Sequence, residues 1–277
     1  MKLIALPSGE RVAALGQGTW HVGDHPERRK EEIATIRRGI DLGLTLVDTA
    51  EMYGDGRSED LVGEAIAGRR DEVFLVSKVY PHHASRAAMR GACEASLRRL
   101  RVDTLDLYLL HWAGTVPLAE TVEAFEALRA AGKIRHWGVS NLDFDLTRKL
   151  WRTPGGTAMQ VNQLLYHPGE RGIEWDLLPW LREHAIPVMA YSPFDQGLLL
   201  RKRALVDFAK THGMTPAQAA LAWLLAQDGV IAIPKSGHRE RVRENAAALQ
   251  RPLGAAQLTE LDKLFAPPKG PSPLAVI

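Results

Sequence analysis

The sequence predicts an α/β chain, a single domain over residues 1–277, folded as a (β/α)8 barrel of the TIM type with a short N-terminal hairpin and a C-terminal tail. Two observations carry that prediction. Eight short, near-continuously apolar segments alternate with amphipathic helical ones, and parallel strands need such crossovers because they are buried on both faces. The length of 277 residues also suits the roughly 250 residues of one α/β barrel. An open doubly wound sheet is the competitor, and it usually carries G-x-G-x-x-G after an early strand. The nearest candidate here, Gly16-Gln17-Gly18-Thr19-Trp20-His21, lacks the third glycine and is not followed promptly by a helix.

In chain order, the first strand candidate is 13–15. A helix-period stretch from Arg29, RKEEIATIRRGIDLG, stops at Gly43 and feeds the apolar run 44–47, which closes on Asp48. Helix over 58–67, strand over 73–77, helix over 85–100 and strand over 105–110 continue the alternation. Gly132 stops a helix over 119–131, strand 136–139 follows, and helix 144–151 leads to strand 159–162. Helix 176–184 then precedes strand 187–191. Helical segments 202–212 and 215–227 precede the short strand 230–233, and the final helix covers 239–248. The residues around Pro154-Gly155-Gly156 read as a turn. The ending APPKGPSPLAVI has no helical period and reads as an extended tail that drapes over one barrel end. No Pro/Gly/Ser-rich linker or low-complexity block divides the chain.

Lys and Arg total 35 against 33 acids, a formal +2, so no global field points to nucleic acid or an anionic membrane. The expected partner is a small molecule. Cys93 is the only cysteine, which excludes an internal disulfide and a cysteine-rich metal site. Adjacent His82 and His83 lack a chelating spacing, so no metal is expected. Pro7 and Gly9 interrupt the N-terminal stretch before it can form a signal-peptide core, and no apolar run approaches the ~18 residues of a membrane span. The expected location is the cytoplasm.

Residues at the C-terminal ends of barrel strands face one shared site. The second strand ends in Asp48, with Tyr53 in the loop after it; the third ends in Lys78 and the fourth in His111. Singly, each is an ordinary loop cap, solvated charge or structural histidine. Together they fit carbonyl reduction. A hydride arriving at a carbonyl carbon leaves negative charge on oxygen, which must receive a proton in or near the transition state. Tyr53 can give it, reluctantly at an ordinary pKa of about 10. A neighbouring ammonium, Lys78, favours the tyrosinate and makes the phenol a stronger acid, while Asp48 holds that ammonium. His111 orients the carbonyl oxygen. Trp20, Tyr80 and Trp112 follow strand ends and are expected to line the substrate pocket. The rim loops are short, so that pocket is expected to be shallow and open. Lys235, Ser236 and Arg241, near a helix N-terminus, could take an anion, although on charge alone they read as a solvated basic turn.

The text GQGTW at 16–20, VDTAEMYGDGRSE at 47–59, VSK ending at Lys78, LDLYLLHW ending at Trp112, GVSN at 138–141, AYSP at 190–193 and IPKS at 233–236 occurs in that order. On these motifs the chain resembles the aldo-keto reductase superfamily over nearly its whole length, and within it bacterial reductases of methylglyoxal and related aldehydes. The resemblance implies NADPH-dependent reduction of aldehydes and activated ketones to alcohols, methylglyoxal and aromatic aldehydes among them. It implies Asp48, Tyr53, Lys78 and His111 as the catalytic tetrad, with Tyr53 as general acid. NADPH would lie extended across the strand ends, with Thr19, Trp20 and Asp48 among its contacts. Ser140, Asn141 and Gln163 would grip the carboxamide, and Tyr191 would stack under the nicotinamide ring. Ser192, Pro193, Phe194, Gln196 and Gly197 would wrap the pyrophosphate. Ile233, Pro234, Lys235, Ser236, Gly237 and Arg241 would take the adenosine end with its 2′-phosphate, and Glu244 and Asn245 the adenine. Gly237, His238 and Arg239 depart from the Val-Thr-Pro that many members carry here. The family default is a monomer.

Two other readings compete. Such barrels also resemble the cytoplasmic β-subunits of potassium channels, which are nucleotide-sensing binding proteins. The chain has no long N-terminal extension of that sort, which favours a free enzyme. A barrel isomerase or hydrolase using Lys78 and His111 without a nicotinamide is the third.

Overall fold

A computed structural model describes residues 2–277. The chain opens with strands β1 (Leu3–Ala5) and β2 (Arg11–Ala13), paired antiparallel. Gly9, at φ +86°, supplies the left-handed turn between them. The hairpin buries Ile4, Leu6 and Val12 in the core. From its turn, Glu10 accepts hydrogen bonds from Arg135 at 2.8 Å and His136 at 2.7 Å, near the start of a barrel strand.

Eight parallel strands follow: β3 (Gln17–Gly18), β4 (Leu46–Asp48), β5 (Phe74–Val79), β6 (Leu105–Leu110), β7 (Ile134–Ser140), β8 (Asn162–Leu165), β9 (Val188–Tyr191) and β10 (Val230–Ala232). Each pairs with its neighbour in sequence. Parallel bridges Leu15 to Ala232 and Gly18 to Lys235 join the first strand to the last. There Gly16 N donates to Ala232 O at 2.9 Å and Gly18 N to Pro234 O at 3.0 Å, closing the ring. All six residues of β6, LDLYLL, are buried, as a strand covered on both faces requires.

Ten helices surround the ring: α1 (Arg29–Asp41), α2 (Arg57–Ala65), α3 (Arg86–Leu100), α4 (Leu118–Ala130), α5 (Phe144–Trp151), α6 (Leu177–Glu183), α7 (Arg203–Thr211), α8 (Pro216–Ala226), α9 (Arg239–Ala247) and α10 (Ala255–Leu264). Their apolar stripes face the strands. Ile33, Ile36 and Ile40 form the buried face of α1. Gly39 lies where that helix meets β3, and a Cβ there would come 2.0 Å from Gln17 Oε1. The close approach lets Gln17 Nε2 donate to Ile36 O at 3.2 Å and Leu44 O at 3.0 Å, fixing α1 against the first strand. Ser85 caps α3 by accepting from Ala88 N, and Thr215 with Gln218 makes a reciprocal capping box on α8. Phe125 on α4 stacks on Trp137 of β7, centroids 5.3 Å apart. Burying two such side chains contributes roughly 1.5–3 kcal/mol each.

Three sequence expectations are corrected. The segment 13–15 straddles two elements: Ala13 ends β2 of the hairpin, Leu15 already bridges to Ala232 at the barrel seam, and the first barrel strand proper, β3, starts at Gln17. Apolar character could not separate the two, because the hairpin arm is buried as well. The strand expected at 159–162 is paired at Asn162–Leu165. Met159, Gln160 and Val161 are buried too, so the shift leaves the apolar pattern unchanged. Helix α10 lies beyond the helix expected to be last. Leu261 is its only buried residue, which leaves little periodic signal to read. The tail is extended as expected, and Ile277 reaches the C-terminal mouth of the barrel. Among the described residues no helix is long and apolar enough to cross a membrane.

Candidate active site

Because the eight strands are parallel, their C-terminal ends share one rim. Asp48 ends β4, Lys78 is the penultimate residue of β5, and His111 directly follows β6. Ser140 ends β7, Gln163 lies on β8, and Tyr191 ends β9. Tyr53 comes from the loop after β4, which turns through Gly54, Asp55 and Gly56 at φ +57°, +53° and +89°. Two of those three positions are glycine, the residue that adopts this region without steric cost.

Lys78 is the centre of the arrangement. Its side chain is fully buried, and Nζ donates to Asp48 Oδ2 at 2.8 Å, Thr49 O at 2.8 Å and Tyr53 Oη at 3.0 Å. Those bonds use all the hydrogens of an ammonium. Asp48 is fixed from its other side, with Gln163 Nε2 donating to Oδ1 at 2.8 Å. Its backbone carbonyl accepts from Thr19 Oγ1 at 2.9 Å, and Ser58 Oγ donates to Thr19 Oγ1 at 2.8 Å. The phenol of Tyr53 accepts from Lys78, which leaves its own hydrogen free to be donated.

Burial lifts the Tyr53 phenol above its ordinary pKa, and the nearby ammonium of Lys78 pulls the other way without overcoming it. This corrects the expectation that Lys78 makes Tyr53 a stronger acid overall: adjacency fixes the sign of one effect, and desolvation is the larger. Burial also works against the Lys78 ammonium, but Asp48 and Tyr53 outweigh it and hold its pKa above the usual value. Burial lowers the His111 pKa to about 2, and Lys78 adds to the effect, so the imidazole is neutral. His111 Nδ1 is buried without a partner. A bare lone pair is the less costly orphan, which assigns the proton to Nε2. The Tyr53 and His111 rings stand edge to face, centroids 5.8 Å apart.

A cavity of about 120 Å³ opens over these groups. Of the residues expected to bind cofactor, Thr19, Trp20, Asp48, Ser140, Asn141, Gln163, Tyr191, Ser192, Ile233 and Lys235 line it, beside Tyr53 and His111. Ser140 Oγ donates to Gln163 O at 3.0 Å, and Tyr191 Oη donates to Asn141 Oδ1 at 2.9 Å. Burial raises the Tyr191 pKa to about 12, keeping it a neutral donor. Asn141, at φ +56°, sends Nδ2 to His111 O at 3.2 Å. Pro193, Phe194, Gln196 and Gly197 continue along the rim after Ser192, with Gln196 at φ +51°. Pro234, Ser236 and Gly237 extend the segment after β10. Arg241 faces a separate groove between α1 and α9, shared with Arg38, Arg239 and Arg243. Glu244 is half-buried and Asn245 buried on α9.

Of the three expected pocket walls, only Trp20 lines the cavity. Tyr80 and Trp112 pair edge-on beside it, centroids 5.9 Å apart, with the Trp112 ring 4.8 Å from that of His111. Sequence reasoning missed Gly18, Met52 and Ile277 as lining residues. Gly18 lies inside GQGTW and was legible there; a proline-rich tail carries no period that would bring Ile277 to the mouth. Among the described residues no cluster of His, Cys, Asp and Glu could hold a metal ion.

A profile of the Aldo/keto reductase family matches residues 14–266. The chain is 51% identical to methylglyoxal reductase YeaE of Escherichia coli, covering 100% of this chain and 99% of that protein. It is 34% identical to a glyoxal reductase of Bacillus subtilis, covering 98% and 95% respectively. An aldo/keto reductase from Klebsiella pneumoniae, crystallised with NADP and acetate, superposes with a TM-score of 0.97 at 51% identity, covering 100% of this chain and 99% of that one. With a family profile over most of its length and a 51% identical member covered almost end to end, the chain belongs to the aldo/keto reductase family.

Proposed function

We propose that the protein reduces aldehydes and activated ketones, methylglyoxal and aromatic aldehydes among them, to alcohols with NADPH, using Tyr53 as the general acid. The observation that carries this reading is the buried Lys78 ammonium fixed between Asp48 and the Tyr53 hydroxyl, 2.8 Å and 3.0 Å away, behind a cavity that both of those partners line. The comparisons support it through relatives named for methylglyoxal and glyoxal reduction and a neighbour that holds NADP.

The residues present fit the dinucleotide. The amides of Asn141 and Gln163 beside the Tyr191 ring suit a nicotinamide carboxamide, and the cations Lys235 and Arg241 suit its phosphate end. Ser192, Pro193, Phe194, Gln196 and Gly197 would follow the pyrophosphate. When bound, NADPH supplies the hydride that the carbonyl carbon receives. The chain's own groups then manage the oxygen. Neutral His111 donates from Nε2 to the carbonyl oxygen and aligns it. Tyr53 gives that oxygen its proton, and Lys78 stabilises the phenolate left behind. The raised Tyr53 pKa suits this step: the phenol stays protonated at neutral pH, and an alkoxide is basic enough to take its proton. Asp48 keeps Lys78 charged and in place.

The test is NADPH oxidation followed across a panel of aldehydes, ketones, dicarbonyls and sugars, repeated with NADH. Turnover on dicarbonyls and aromatic aldehydes with NADPH is expected. Absence of NADPH consumption with every carbonyl would overturn the reading.

A further inference from the structure

Three cations gather around the segment after β10, and one of them comes from the far side of the sequence. Lys235 and Arg241 lie on that segment and on the first turn of α9. Arg28 lies on the loop between β3 and α1, and its Nη2 reaches within 3.5 Å of His238 Nε2. The acids nearby are engaged elsewhere: Glu31 with His238 Nδ1 at 2.9 Å, Glu240 with Arg243 at 2.6 Å, and Glu32 Oε2 with Gly23 N at 2.9 Å. Among the described residues none of Arg28, Lys235 and Arg241 has a carboxylate partner. Partial desolvation and the charges of Arg28 and Arg241 lower the Lys235 pKa, against the pull of Glu32 and Asp24, so these groups feel one another. Like charges held together without counter-ions are unfavourable unless an anion joins them.

Gly237 explains how Arg28 gets there. It is buried, and a Cβ at this position would come 2.7 Å from Arg28 Nη2 and 3.3 Å from Glu32 Oε1. Glycine therefore leaves the space that the guanidinium fills. Glu32 is only 1% exposed, and its Oε1 faces the same space with no hydrogen-bond partner. The carboxylates of Glu32 and Asp24 thus temper the site, and three cations outnumber them.

We propose that Arg28 is a specificity-determining residue for the cofactor, its guanidinium a third cation on the 2′-phosphate of NADPH, admitted to that position by Gly237. The inference rests on the reading that the chain binds NADPH with its adenosine end beside Lys235. A guanidinium fork matches two phosphate oxygens at once, and a ribose hydroxyl offers it no such partner.

The test is titration of the full chain with NADPH, NADH, 2′,5′-ADP and 5′-AMP, read by tryptophan fluorescence or calorimetry, for wild type, R28A, R28K and G237V. R28A is expected to raise Kd for NADPH and 2′,5′-ADP about tenfold or more, the scale of one lost charge-assisted hydrogen bond. NADH and 5′-AMP should stay within about twofold. G237V should reproduce that pattern by displacing an unaltered Arg28, and R28K should fall between. Equal loss for NADPH and NADH, or unchanged 2′,5′-ADP binding in R28A, overturns the proposal. If wild type binds neither NADPH nor 2′,5′-ADP, the functional reading falls with it; if wild type binds both and R28A does so unchanged, only the role of Arg28 falls.

Discussion

Replacing Lys78 by Met separates the stability role of the buried ion pair from its chemical one. The side chains are of similar length, so little volume is lost, but Asp48 is left as a carboxylate only 2% exposed, with no cation and one remaining side-chain donor, Gln163. Removing one partner of a buried pair costs about 3–5 kcal/mol, because the other charge stays desolvated. At roughly 2–4 °C per kcal/mol for chains of ~150–250 residues, Tm should fall by about 6–20 °C. Adding Asp48→Asn removes the stranded charge and keeps an acceptor for Gln163, so the double variant should regain most of that loss. Turnover should not return, since neither variant has an ammonium to stabilise the Tyr53 phenolate. Thermal unfolding of the two variants beside wild type, with NADPH-dependent reduction of an aromatic aldehyde, reads both quantities. A Lys78→Met protein that melts like wild type, or a double variant that stays as unstable as the single one, would refute the argument that an uncompensated Asp48 sets the cost.

Tyr53→Phe should leave NADPH affinity near normal and cut turnover by roughly 10²–10⁴-fold, the range for losing a positioned general acid; unimpaired steady-state reduction would rule Tyr53 out. Because burial raises the Tyr53 pKa and reduction needs the protonated phenol, the reduction rate should stay level through neutral pH and fall only as pH rises through that raised value. His111, neutral with its pKa lowered to about 2, should add no limb between pH 5 and 8, so a pH–rate profile bending near 6.5 contradicts that assignment. Replacing Lys235 and Arg241 together by Ala should weaken NADPH much more than NADH in binding titrations, and equal losses would show that they do not read the phosphate. With Ser140, Asn141, Gln163, Ser192 and Lys235 assigned to the cofactor, the rest of the cavity lining, Trp20, Met52 and Ile277 among it, offers few groups matched to substrate hydroxyls, so dicarbonyls and aromatic aldehydes should lead; one sugar ahead of them all by more than about a hundredfold in kcat/KM would overturn this.

The rim was legible wherever a residue's place depends on strand phase. Asp48, Lys78 and His111 each close an apolar run, and parallel strands deliver such residues to one end without further information. Tyr53 comes five residues after Asp48 in the same loop, just ahead of the turn through Gly54 and Gly56, which confines it to that rim. Positions set by side-chain direction were not legible: Tyr80 and Trp112 follow strand ends as Trp20 does, yet they pair with each other beside the cavity. Positions set by contacts distant in sequence were the least accessible. Arg28 meets His238 across 210 residues, and nothing in PERRKEE distinguishes it from a solvated charge. The sign of the Tyr53 shift belongs to the same class, because burial is a property of everything packed around the phenol.

Strain and unmet polarity collect at the same end of the molecule as the chemistry. Of the non-glycine residues with positive φ, Arg101 and Ala185 lie just past the ends of α3 and α6, where such a conformation terminates a helix. The others, His21, Asp55, Asn141, Ser192, Asp195 and Gln196, all lie in loops that follow C-terminal strand ends. Sparsely populated backbone conformations of this kind cost of order 1–3 kcal/mol each and persist only where the surroundings over-determine them. Buried polar atoms without partners show the same bias, with Asp24 Oδ1, Glu32 Oε1 and His111 Nδ1 on this rim and Tyr108 Oη and Asn162 Oδ1 in the barrel wall. The wall itself, closed by backbone hydrogen bonds and packed on both faces, supplies the rigidity that holds these loops in place. A rim residue such as Asn141 therefore carries two roles at once: its amide ties His111 to Tyr191, and its left-handed backbone turns the chain away so that both can face the cavity. Asn141→Gly relieves the backbone cost and removes the amide, so it should lower turnover while leaving Tm nearly unchanged or slightly higher. A large loss of stability in that variant would show that the bonds to His111 and Tyr191 hold the fold rather than the site.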